Sequence, residues 1–121
     1  MNMKKVLVVD DDRDIREIMM MILEDEGYVV SGLDNGSAVI ATVRETRPDV
    51  LLLDVQLGDR DGRDICRELK DTPNTHDIPI IMVSATHGWS ALRDKNCHAN
   101  DFLAKPFDVA ELLSHVKRFA A

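Results

Sequence analysis

The sequence predicts an α/β fold built on a parallel β-sheet that helices cover on both faces. Five short β-like runs recur along the chain with helical patterns between them, and the runs are apolar throughout instead of alternating with polar residues. Strands buried on both faces read that way, and a parallel sheet needs a helical crossover between successive strands.

The run "KVLVV" (residues 5–9) is the first strand. Ile15, Ile18, Met19, Ile22 and Leu23 then recur at i, i+3, i+4, i+7 and i+8, the inward face of a helix that Asp11 or Asp12 caps and Gly27 ends. Met19 to Met21 are read there as core and its fringe. "YVVSGL" (28–33) is the second strand. Val39, Ile40 and Val43 mark a helix between the turn-forming "DNGS" and Pro48. "VLLL" (50–53) is the third strand, and Ile65, Cys66 and Leu69 mark a helix between Gly62 and Pro73. "IIMVS" (80–84) and the weaker "DFLA" (101–104) complete the strands. The alternation requires a helix between those two, around Trp89 to Lys95. Val109, Leu112, Leu113 and Val116 place the last helix near the C-terminus.

With 121 residues, 45% apolar and 31% charged, the chain is the size of one compact domain, residues 1–121, with a single core. Its apolar runs fall far short of the roughly 20 residues that span a bilayer, and "MNMKKVLVVDDD" turns acidic too soon for a secretory signal, so a cytoplasmic protein without membrane contact is expected. Cys66 and Cys97 lack C-x-x-C spacing and are read as reduced thiols. A formal net charge of −7 opposes attraction to phosphate backbones, which argues against direct nucleic-acid binding.

In open parallel sheets, ligands collect beyond the carboxyl ends of the strands. The polar residues fall there: Asp10, Asp11 and Asp12 after the first run, Asp54 after the third, Ser84 ending the fourth and Lys105 after the fifth. Carboxylates held close together either raise a pKa or recruit a cation. Oxygen ligands without histidine or cysteine suit magnesium rather than zinc. A magnesium ion beside a free carboxylate suits phosphoryl transfer, with Asp54 attacking phosphorus to give an aspartyl phosphate while Lys105 and Ser84 hold the other oxygens.

The segments "VLVVDDD", "LLLDVQLGDRDG", "IPIIMVSA" and "NDFLAKPF", in this order and spacing, resemble the receiver domain of two-component response regulators over essentially the whole chain. The resemblance implies a doubly wound, five-stranded, flavodoxin-like fold of strand order 2-1-3-4-5. It implies that Asp54 is the phosphoacceptor. Asp11 would bind Mg2+ directly and Asp10 mainly through water, with the backbone carbonyl of Gln56 a further ligand. Ser84 would be the switch hydroxyl, Lys105 the phosphate-pairing lysine preceding a cis peptide to Pro106, and Phe102 the aromatic that turns inward on activation. The implied partners are a sensor histidine kinase or histidine phosphotransfer protein and a downstream protein target. The implied output face is the helix around Trp89, the fifth strand and the last helix. There Arg93, Lys95, Asp101, Glu111, Lys117 and Arg118 could pair across a twofold. Such a switch catalyses its own phosphorylation and dephosphorylation without being a conventional turnover enzyme.

The chain departs from the family pattern in places. Leu57-Gly58 replaces a common Met-Pro, which is expected to loosen the loop, and His98 stands where a glycine is usual. Gln56 and Thr86 occupy the positions that tune loss of the phosphate. Asp12 and Asp14 are read as cap and first-turn acids, and Asp59 and Asp61 as solvated loop or capping residues. His76, His87, His98 and His115 are read as surface or structural. Two other functions stand beside the phosphorylatable switch. One is a protein-binding module of the same fold that is never phosphorylated, against which intact Asp11, Asp54, Ser84 and Lys105 argue. The other is a flavodoxin-like cofactor binder, which "DDDRD" after the first strand disfavours by repelling phosphate.

Overall fold

Within the described residues, 3–85 and 97–120 of a computed structural model, the chain alternates strand and helix from β1 (Lys5–Val9) through α1 (Arg13–Asp25), β2 (Val29–Leu33), α2 (Val39–Thr46), β3 (Val50–Asp54), α3 (Gly62–Asp71) and β4 (Ile80–Ser84). It ends with β5 (Asp101–Ala104) and the C-terminal helix α4 (Val109–Phe119). The strands form one five-stranded sheet in the order β2-β1-β3-β4-β5, every neighbour parallel, so the expected doubly wound, flavodoxin-like fold is present. The helix expected around Trp89, and with it Thr86, His87, Arg93 and Lys95, lies outside the described residues.

Side chains alternate across the sheet and divide the core in two. Leu7, Val9, Leu51, Leu53, Ile80 and Met82 pack with Val39 and Val43 of α2 and Ile65, Cys66 and Leu69 of α3. Val6, Val8, Val50, Leu52, Ile81 and Val83 face Met19 and Leu23 of α1 and Leu112 and Val116 of α4. Burial on both faces accounts for the uninterrupted apolar runs of β3 and β4, whose residues are all buried. Central β3 is thereby fixed in register, Leu53 opposite Met82 and Asp54 opposite Val83.

Caps set the helix ends. Asp12 caps α1, its side chain accepting from the backbone N–H groups of Asp14 and Ile15, and Gly27 follows the helix with φ +96°. Asp61 caps α3 through the Arg63 N–H, which puts Gly62 at the first helical position instead of before the helix. Tyr28 lies before β2, its N–H closing onto Leu23 O, so the strand begins one residue later than the apolar run suggests.

Ile18 departs from the expected face of α1 and is 53% exposed. At 100° per residue it stands roughly 120° around the helix from the midpoint of Met19 and Leu23, past the edge of the stripe the sheet covers. Met19 is buried, Met20 packs at the edge of the core and Met21 is exposed. Cys66 and Cys97 are free and buried, the Cys66 thiol donating to the Cys97 carbonyl at 3.3 Å.

Candidate functional site

The parallel ladder carries polar residues to one edge of the sheet. Asp10 leaves β1 with its N–H still bonded to Leu33 O of β2, Asp54 is the last residue of β3, Ser84 ends β4, and Lys105 leaves β5 with its N–H bonded to Ser84 O at 2.8 Å. Asp10, Asp54 and Ser84 are 1%, 5% and 4% exposed, whereas Asp11 is exposed. One carboxylate oxygen each from Asp10, Asp11 and Asp54 lies within 4.8 Å of the others.

Lys105 connects two of these acids. Its Nζ donates to Asp10 Oδ2 at 2.8 Å and to Asp54 Oδ2 at 3.2 Å, while Gln56 N donates to Asp54 Oδ1 at 3.2 Å and Asp12 N to Asp10 Oδ1 at 2.9 Å. One ammonium does not compensate the cluster. Burial pushes the Asp54 carboxyl up to about 6, against the lowering effect of Lys105 and with a further push from the Asp10 charge. Burial acts to lower the Lys105 pKa, but the hydrogen bond to Asp10 and the charges of Asp54 and Asp10 prevail, so the ammonium is held above its ordinary range. The donor set is all oxygen, negatively charged and open to solvent at Asp11, which fits a hard cation that keeps part of its water, such as magnesium.

The sequence matches the response regulator receiver domain family over residues 6–117. The chain belongs to this family. The receiver fold recurs in known structures at comparable length. A presumed response regulator from Chloroflexus aurantiacus J-10-fl is 33% identical, with 98% of each chain covered and a TM-score of 0.91. The signal receiver domain of a signal transduction histidine kinase from Syntrophus aciditrophicus is 34% identical, with 97% of this chain and 89% of that one covered and a TM-score of 0.89. The chemotaxis response regulator CheY4 of Vibrio cholerae is 28% identical, with 98% and 99% covered and a TM-score of 0.89.

The other predicted residues lie on β5 and α4 and in the segments that follow β3 and flank β5. Phe102 of β5, opposite Met82, is half-buried against the α2/α3 side of the core. The Lys105–Pro106 peptide bond is cis, and His98 adopts φ +62°. Gln56 follows β3 and bridges Asp61 across the loop. Asp101 is engaged within the chain, accepting from His115 Nδ1 at 2.6 Å and lying 3.7 Å from Arg118, while Lys117 pairs with Glu26 at 3.2 Å.

Three further residues shape the site without having been singled out for it. Arg16 Nη1 donates to the Asp10 carbonyl at 2.9 Å, one helical turn past the Asp12 cap. A Cβ at Gly62 would collide with the Asp54 carbonyl oxygen, so only glycine lets α3 start this close to the end of β3. Asp59, expected to be solvated or capping, accepts from the backbone N–H groups of Gly36 and Ser37 across the loop, and these bonds hold its carboxyl below the usual range. The side chain spacing in sequence gives no signal for any of these contacts, although the Asp61-Gly62 pair before an apolar stripe marks a helix start.

Proposed function

We propose that this receiver domain is a phosphorylatable switch of a two-component or phosphorelay system, with Asp54 as phosphoacceptor. The observation that carries this reading is Lys105 Nζ lying between Asp10 and Asp54, with the Asp11 carboxylate beside them at the carboxyl edge of the sheet. Asp10, Asp11 and Asp54, with the Gln56 carbonyl, would hold magnesium, which when bound neutralises phosphoryl oxygens.

A carboxylate oxygen of Asp54 forms the O–P bond as the P–N bond to a donor phosphohistidine breaks and the imidazole leaves. Burial in central β3 keeps that oxygen in place, so the donor meets an aligned nucleophile. Lys105 is already within hydrogen-bond range of Asp54 and pairs with a phosphoryl oxygen in the product. Water later attacks phosphorus, the O–P bond breaks, and Asp54 returns as a carboxylate with release of inorganic phosphate.

Phosphorylation adds nearly two negative charges and new acceptors. Ser84 moves toward them, and the space it leaves admits Phe102, which alters the face around β5 and α4 for a protein partner. This shift occurs only to the extent that the contacts are better in the second state. The donor is a sensor histidine kinase or histidine phosphotransfer protein in the cytoplasm. Incubation with a small phosphodonor should add one phosphoryl mass in the presence of magnesium and none after chelation. Equal labelling without the metal would contradict the role given to the acidic cluster.

A further inference from the structure

The loop after Asp54, residues 55–61, is fastened at both its base and its apex. At the base, Gly62 N donates to Val55 O at 2.8 Å and Gln56 bridges Asp61. At the apex, Gly58 adopts φ +79°, a conformation closed to the proline that commonly stands there in the family, and a Cβ on it would lie 3.6 Å from Asp11 Oδ2. The next residue reaches away from the site. Asp59 Oδ1 accepts from Gly36 N at 2.8 Å, and Oδ2 accepts from Gly36 N at 3.1 Å and Ser37 N at 3.0 Å.

The far end of this link is built to receive it. Gly36 is buried, and a Cβ there would lie 2.8 Å from Ile65 Cδ1, 3.0 Å from Arg60 Cβ and 3.3 Å from Asp59 Oδ1, so the turn before α2 presses directly on the loop. Ala38, the cap residue of α2, makes no side-chain cap bond of its own. Asn35 Oδ1 accepts from Ala38 N at 3.1 Å, and Asp59 supplies the acceptors for the two preceding N–H groups from a different loop.

We infer that Asp59 is a positioning residue of the cation site: it holds the loop carrying Gln56 and Gly58 over Asp11 and Asp54, and it couples occupancy of that site to the start of α2. The inference rests on the reading of the acidic cluster as a magnesium site. A tethered loop presents its backbone to the cation without first being ordered, so loss of the tether weakens binding. By linkage, a cation that draws on the loop must perturb the amides at the other end of the carboxylate. The expected looseness of Leu57-Gly58 is therefore answered by a restraint from outside the loop.

The test is a magnesium titration of the unphosphorylated protein, followed by calorimetry and by the amide resonances of Gly36 and Ser37, for wild type, Asp59→Ala, Asp59→Asn and Asp11→Asn. The expected result is magnesium-dependent shifts of both amides in wild type, their loss in Asp59→Ala with about 10-fold weaker binding, and intermediate behaviour in Asp59→Asn, which keeps one acceptor oxygen. A merely structural role would lower the melting temperature and leave the magnesium response of the amides intact. If Asp11→Asn weakens binding while Asp59→Ala binds as wild type, the site stands and the positioning role is overturned. If wild type binds no magnesium, the site reading and this inference fall together.

Discussion

Asp54 sits at a position that burdens the metal-free fold, and Asp54→Asn should therefore stabilise it. The carboxyl has a pKa of about 6 in the native state against 3.8 ordinarily, with burial the main cause. A raised native pKa means that the contribution to stability is fully present below about 3.8 and is lost as pH rises through about 6, because the ionised form is the one the fold disfavours. At pH 7.5 the whole penalty is in force, about 3 kcal/mol as an upper figure, and at pH 5 it has fallen by roughly half. The asparagine removes the charge and leaves Lys105 paired with Asp10 at 2.8 Å, so no buried ammonium is orphaned. Imperfect amide hydrogen bonding takes back part of the gain. The expected result is a variant about 1–3 kcal/mol more stable at pH 7.5 in urea unfolding with chelator present, and less so at pH 5. Magnesium at ten times its dissociation constant should stabilise wild type by about 1.4 kcal/mol and narrow the difference. A variant no more stable than wild type at pH 7.5, or a gain of equal size at both pH values, would refute the assignment of Asp54 as a buried charge that Lys105 compensates only in part.

Other perturbations separate the parts of the site. Lys105→Ala leaves Asp10 and Asp54 buried without their counter-charge and should destabilise by about 3 kcal/mol at pH 7.5 and by less as falling pH protonates Asp54, which paired urea titrations at pH 7.5 and 5 would show. Gly62→Ala forces the start of α3 off the Asp54 carbonyl and should cost about 2–3 kcal/mol in the same assay; a loss under 0.5 kcal/mol would mean that the contact is slack. Ser84→Ala should still accept phosphate, since Asp54 and the acidic cluster survive, but its Phe102 resonances should shift less on phosphodonor addition than those of wild type. Full-sized shifts in both proteins would exclude the hydroxyl as the coupling element.

The fold was legible because burial on both faces writes itself into β3 and β4 as unbroken apolar runs, and because Asp10, Asp54 and Lys105 stand where those runs stop. Periodicity located α1 but overstated its buried face at Ile18, since spacing along a helix does not reveal how wide a stripe the sheet covers. The resemblance supplied roles for Ser84 and Phe102 that isolated strand-end residues do not announce. Asp59 and Gly62 could not be read in advance. The first acts on amides 22 and 23 residues away in sequence, and the second matters for the Cβ it lacks against a backbone carbonyl. Both are relations between loops, and a linear pattern carries no distance between loops.

The central claim is that Asp54 alone takes the phosphoryl group. Intact mass after treatment with a small phosphodonor and magnesium, in wild type and in the Asp54→Asn variant, tests it most directly. One added phosphoryl mass in wild type and none in the variant is the result this account predicts. A variant that gains the same mass under the same magnesium-dependent conditions would place the acceptor elsewhere and contradict it.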